Sequence, residues 1–70
     1  MKKIVSNVAG RLAACHVVSG AQVQLGDELF IVESMKMEIP VESEFAGTVV
    51  DVLVSVGDEI EEGQELALLE

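Results

Sequence analysis

The chain has 70 residues, of which 13 are acidic and four are lysine or arginine, and its formal net charge is −9. A chain this short forms one small domain, here residues 1–70, that buries only about 60% of its unfolded surface. Its negative charge repels phosphate backbones and anionic lipid surfaces, so we expect no nucleic-acid or membrane partner. Although 50% of the residues are hydrophobic, no apolar run approaches the roughly 20 residues of a membrane span. We therefore expect a soluble, globular domain.

The first residues and the cysteine content indicate the compartment. Met1, Lys2 and Lys3 begin the chain, but the apolar segment of a secretory signal does not follow them. Cys15 is the only cysteine, so no intramolecular disulfide can form, and no Cys/His spacing typical of a metal site surrounds it. We expect a cytoplasmic protein without a metal. A short, strongly acidic domain also gives no reason to dimerise, so we expect a monomer.

The chain repeats itself at a spacing of 37 residues. The repeat predicts a tandem duplication of residues 1–33 and 38–70. Only residues 34–37, Ser-Met-Lys-Met, lack a counterpart. The identical pairs are Ser6 and Ser43, Ala9 and Ala46, Gly10 and Gly47, Val17 and Val54, Gly20 and Gly57, Gly26 and Gly63, Glu28 and Glu65, Leu29 and Leu66, and Glu33 and Glu70.

Short runs of Val, Ile and Leu bounded by glycines predict an all-β, antiparallel fold, because no stretch sustains the periodicity of a helix. Two brief pairings are expected near Gln22–Val23 and Glu59–Ile60. In chain order, the longer predicted strands are Lys3–Ser6, Arg11–Val18, Glu28–Glu33, Glu38–Ser43, Thr48–Ser55 and Glu65–Leu69.

Both halves interrupt the strict alternation of a strand at the same place. The apolar positions that follow Gly10 and Gly47 have the spacing i, i+2, i+5, i+7. A period of two cannot give this spacing, so we expect a β-bulge or bend after Leu12 and after Val49. The same spacing directs Cys15 and Val52, which are equivalent in the two halves, toward the core.

Glycine and proline predict further details of the backbone. The glycines at 20, 26, 57 and 63 fit turns that need a positive φ or a close approach of two backbones. Pro40 has no N–H to donate, so its strand should lie at a sheet edge or bend there.

The connection between the two halves places Lys36 at an exposed tip. If a pseudo-two-fold axis relates the halves, the connection from Glu33 to Glu38 corresponds to the gap between Glu70 and Met1. The termini should then lie together, with Lys36 at the opposite end. Four residues suit a tight hairpin turn, and such turns are exposed because burial would strand their backbone polar groups.

Catalysis by Lys36 is not expected. A catalytic lysine must lose its proton, whereas the neighbouring Glu33 and Glu38 favour the charged ammonium. Ser34 has no evident base, and Cys15 and His16, as neighbours in a strand, should point to opposite faces. The carboxylates of residues 58–65 are expected to form a solvated loop. We therefore expect no enzyme, but an amine that another enzyme modifies.

The segment Glu33-Ser34-Met35-Lys36-Met37-Glu38-Ile39-Pro40, with Gly47-Thr48-Val49 and Gly57-Asp58-Glu59-Ile60-Glu61-Glu62-Gly63 after it, closely resembles the biotinyl/lipoyl attachment domain family. The resemblance covers essentially the whole chain and is greatest for free-standing attachment proteins of the biotin carboxyl carrier type. It implies a flattened barrel, or sandwich, of two four-stranded antiparallel sheets with quasi-two-fold symmetry. The modified lysine would lie on an exposed hairpin turn.

By the same resemblance, Lys36 is the residue that a biotin protein ligase joins to biotin. The carrier would then move carboxyl groups between a biotin carboxylase and a carboxyltransferase. Met35 and Met37 would serve recognition by the ligase, since methionine adapts to irregular surfaces, or one of them would fold back to cap the core.

Two other functions remain open. The chain could be a lipoyl carrier, or a dual biotin/lipoyl acceptor, that transfers acyl or aminomethyl groups. It could also be an unmodified adaptor with the same fold. Lipoyl domains typically carry Asp-Lys-Ala at the turn, so the triplet of Met35, Lys36 and Met37 favours biotin. Residues 6–10 lack the proline that many biotin domains have before the first glycine, which weakens assignment to a particular carboxylase.

Overall fold

The computed structural model describes all 70 residues as eight strands joined by turns and loops. It contains no helix, and so none that could cross a membrane. The strands are β1 (Lys2–Val5), β2 (Gly10–Cys15), β3 (Gln22–Val23), β4 (Glu28–Ser34), β5 (Met37–Glu42), β6 (Gly47–Val52), β7 (Glu59–Ile60) and β8 (Glu65–Leu69).

The strands form two antiparallel four-stranded sheets, which confirms the predicted fold class. Sheet 1 has the order β1-β8-β6-β3, and sheet 2 has the order β5-β4-β2-β7. A shift of 37 residues converts β2 into β6 and β3 into β7, position for position. Each sheet therefore takes two strands from each half of the chain, and the two halves interlock.

Hydrogen bonds between the halves recur in equivalent pairs. The Gly20 N–H donates to the Val49 carbonyl at 2.8 Å, and the Gly57 N–H donates to the Leu12 carbonyl at the same distance. All four glycines at 20, 26, 57 and 63 have φ values between 84° and 97°, as predicted. The repeat is therefore present in the backbone as well as in the sequence.

One apolar core lies between the two sheets. It contains 13 buried hydrophobic residues, with Leu12 and Phe30 completely inaccessible to solvent. Cys15 and Val52 are half-buried and pack against this core, as the spacing predicted. Burial of apolar surface supplies most of the free energy that holds such a fold together.

The predicted bulges are confirmed, but two predicted strand ends are wrong. The register shifts between Leu12 and Ala14 and between Val49 and Asp51. Strands β2 and β6 end at Cys15 and Val52, before the predicted Val18 and Ser55. Hydrophobicity misled the prediction here, because Val17 and Val54, which lie beyond these strand ends, pack on the core from a loop without continuing the strand.

Pro40 confirms the prediction made for its strand. It lies on β5, which is an edge strand of sheet 2. An edge position leaves one side of β5 without a partner strand, so the missing N–H of proline costs no ladder hydrogen bond there.

Candidate functional site

Strands β4 and β5 form a hairpin whose tip is Met35 and Lys36. Glu33 pairs with Glu38, and Ser34 pairs with Met37. Met35 and Lys36 are therefore the only residues between the paired strands. Their φ values are 52° and 64°. A positive φ at both central residues is typical of a type I′ turn, whose twist matches that of the flanking strands.

The residues at this tip are not those that the backbone prefers. Type I′ turns favour Asn-Gly and similar pairs, because other residues pay roughly 1–2 kcal/mol each in the left-handed region. Met35 and Lys36 are the only residues other than glycine with a positive φ in the chain. Backbone preference does not explain this choice, so the reason must lie in the side chains.

The amine of Lys36 is unengaged, unlike those of the other two lysines. Lys2 Nζ donates to the Ala46 carbonyl at 3.3 Å and lies over the Phe45 ring. Lys3 Nζ lies 3.2 Å from a carboxylate oxygen of Glu65. The Lys36 side chain is exposed, and its Nζ makes no hydrogen bond or ion pair. The turn thus presents a primary amine to solvent.

The two methionines beside Lys36 are also exposed. Met35 is 91% exposed and Met37 is 63% exposed. Neither side chain folds back to cap the core, which was the alternative for this pair. Two large apolar side chains therefore flank the amine with most of their surface in water, although apolar side chains of this size are usually buried.

Gly10 supports the hairpin from the neighbouring strand. A Cβ at this position would clash with the Glu33 carbonyl oxygen, so only glycine lets β2 approach β4 this closely. The sequence showed Gly10 as half of a repeated pair with Gly47, but not its place beside the turn. A Cβ added at Gly47 would likewise lie 2.5 Å from the Glu70 carbonyl oxygen, so the same restriction applies there.

The remaining reactive side chains form no catalytic group. The Cys15 thiol donates to the Val17 carbonyl at 3.3 Å, whereas the His16 imidazole is directed to Glu28, with Nε2 3.7 Å from a carboxylate oxygen. No cluster of His, Cys, Asp and Glu has the proximity needed to hold a metal ion, and the surface has no cavity that could enclose a small molecule. The exposed turn is therefore the candidate site.

Comparison with known proteins identifies the family. The family model described as "Biotin-requiring enzyme", for biotin/lipoyl domains, matches residues 2–69. The biotin/lipoyl attachment protein of Bacillus subtilis is 44% identical over 59 residues, which cover 84% of this chain and 81% of that protein. The biotinylated protein TB7.3 homolog of Mycobacterium leprae is 51% identical over 53 residues, which cover 76% and 75% of the two chains.

A solved structure agrees with these relatives. The crystal structure of Kluyveromyces lactis urea carboxylase matches 99% of this chain with a TM-score of 0.91 and 30% identity. The match covers 6% of that much longer chain. Biotin and lipoyl carrier domains are generally non-catalytic. The exposed Lys36 amine at the tip of the β4–β5 hairpin is consistent with such a carrier. The chain belongs to the biotin/lipoyl attachment domain family.

Proposed function

We propose that the chain is a biotin carrier protein in which a biotin protein ligase modifies Lys36. The observation that carries this proposal is the contrast among the three lysines: only Lys36 is unengaged, and it lies at the tip of a hairpin. The relatives named as biotinylated and as biotin/lipoyl attachment proteins support biotin as the attached group.

The residues present fit such an attachment. Biotin has a carboxyl group, and condensation of that group with the Lys36 Nζ forms an amide, with loss of water overall and loss of the ammonium charge. The amine is exposed and has no partner to give up, so attachment breaks no interaction within the chain. Since the surface has no cavity, nothing in the chain would enclose the attached group.

The chain then serves as a rigid base for a flexible arm. Biotin supplies a ring nitrogen that can carry a carboxyl group between enzyme sites. The β4–β5 ladder fixes the position of the Lys36 backbone, while the rotatable bonds of the lysine side chain supply the reach. Tethering raises the effective concentration at each site far above that of a free cofactor. We propose a biotin carboxylase and a carboxyltransferase as the two partners.

Met35 and Met37 are proposed to be recognised by the ligase. They flank the amine on both sides and are largely exposed. A ligase that covers the turn would bury their flexible, polarisable side chains, which adapt well to a shallow surface. This proposal gives a role to two apolar residues that the fold leaves in water.

Lipoate is the second candidate for the attached group. One relative is named a biotin/lipoyl attachment protein, so one turn could accept either acid. The same exposed amine would form the same amide, and the choice would rest with the ligase.

Mass spectrometry of the intact chain and its peptides tests the proposal. The chain would be produced with an active biotin protein ligase and, separately, with a lipoyl ligase. We expect one biotinyl increment, on Lys36, and none on Lys2 or Lys3. Lys36→Arg keeps the charge and the fold and should abolish attachment. A chain that neither ligase modifies would instead be an unmodified adaptor.

A further inference from the structure

The outer face of sheet 2 carries a short apolar row. Ala14, Ile31 and Pro40 are register partners on three adjacent strands. They lie on the face opposite the buried Val32, because successive residues of a strand alternate between faces. Ala14 and Ile31 are half-buried and Pro40 is exposed. This row gives the face an apolar centre.

Carboxylates lie on both sides of that row. Glu33 pairs with Glu38 on the side of the turn, and Glu28 pairs with Glu42 on the other side. All four are exposed. Like charges directly opposite each other destabilise a sheet. Of these four carboxylates only Glu28 has an ion-pair partner, the exposed His16 imidazole with Nε2 at 3.7 Å, so the fold explains little of this arrangement. Arg11, in register with Glu33, makes no ion pair within 4.0 Å.

The outer face of sheet 1 can be compared with that of sheet 2, because the repeat gives the two sheets equivalent strands. The row equivalent to Ala14, Ile31 and Pro40 consists of Asp51, Leu68 and Lys3. It carries one charge of each sign, and its Lys3 forms the ion pair with Glu65.

The strands of sheet 1 hold two carboxylates and two ammonium groups, whereas those of sheet 2 hold five carboxylates and one guanidinium group. Of the two equivalent faces, only that of sheet 2 therefore combines an excess of carboxylates with an apolar centre.

We propose that the outer face of sheet 2 docks a partner protein that presents arginine or lysine side chains around an aliphatic centre. Charge complementarity selects such a partner, since a second copy of this chain would oppose carboxylates to carboxylates. The partner would lie on the face, because Pro40 offers no N–H to a strand added at the free edge of β5. This docking is independent of whether Lys36 is modified.

The test uses the full, unmodified chain labelled with ¹⁵N and a defined probe. The probe is a capped pentapeptide with leucine between two pairs of arginines, titrated while amide chemical shifts are followed by NMR. We expect shift changes on β2, β4 and β5 and not on sheet 1, and binding that weakens as salt is added. A peptide with glycine in place of the leucine should bind more weakly.

Two double variants make the same change of charge on the two sheets. Glu28→Gln with Glu42→Gln should weaken binding by about tenfold, because each exposed ion pair contributes modestly. Asp51→Asn with Glu65→Gln should change it by no more than about twofold. Equal weakening by both pairs of substitutions, shift changes on both faces, or no binding at millimolar peptide would each overturn the proposal. Equal binding of the glycine peptide would show that the apolar row does not contribute to docking, and would overturn that part of the proposal.

Discussion

Replacing Lys36 by glycine is expected to raise the free energy of unfolding of the unmodified chain. Lys36 has a φ of 64°, and a residue other than glycine in this region pays roughly 1–2 kcal/mol. Glycine removes that cost but adds freedom to the unfolded chain, which takes back about 0.4–1 kcal/mol. Taking the midpoints of the two ranges, the net gain is about 0.8 kcal/mol, and for a domain of this size it corresponds to a rise in Tm of roughly 3–6 °C.

Thermal and urea denaturation of the purified variants would measure this gain. Lys36→Ala is the matched control: it removes the side chain but keeps the backbone cost, so its Tm should stay close to that of the parent chain. A Lys36→Gly variant no more stable than Lys36→Ala would refute the reasoning. If the gain is found, the lysine is retained at the expense of stability, as expected for a residue that serves modification.

Three further predictions concern the support of the turn, the core and the surface. Gly10→Ala and Gly47→Ala should each lower the free energy of unfolding by about 1–3 kcal/mol, since a new Cβ would meet a backbone carbonyl oxygen; only Gly10→Ala, which displaces β4 beside the turn, should also slow modification by the ligase, and equal rates would contradict this. Val52→Asp brings a carboxylate against the core and should cost about 1–3 kcal/mol, whereas an unchanged melting curve would show that the side chain escapes to water. Lys3→Ala should change stability by less than about 1 kcal/mol, because its ion pair with Glu65 is exposed; a larger loss, measured in urea, would mean that the pair does more than its exposure suggests.

The repeat explains why much of this fold could be predicted from the sequence. Equivalent glycines and equivalent breaks in alternation appear twice, so each prediction was supported at two places in the chain. This redundancy made two features predictable: the bulges after Leu12 and Val49, and the four positive φ values of glycine. The ends of β2 and β6 were less predictable, because apolar residues continue past the last ladder hydrogen bond and hydrophobicity alone does not distinguish a strand from a loop packed on the core.

The geometry of the site was only partly predictable. The lack of a counterpart for residues 34–37 singled out Lys36 and predicted a tight turn there. The positive φ of Met35 and Lys36 had no sequence signal, since neither glycine nor asparagine occupies the tip. The contrast between the free Lys36 amine and the engaged amines of Lys2 and Lys3 depends on contacts with residues distant in the sequence, Ala46 and Glu65, which only the three-dimensional arrangement shows.

The interlocking of the two halves bears on how such a chain could have arisen. Four of the six strand ladders join residues 1–33 to the second half of the chain. A half-length peptide would lack most of its ladders, but two identical copies could supply them to each other across a two-fold axis. Fusion of two such genes would create one covalent junction, and in this chain that junction carries Lys36. The proposed attachment residue thus occupies a segment with no counterpart in the repeat, where a new side chain could be accepted without altering the shared core.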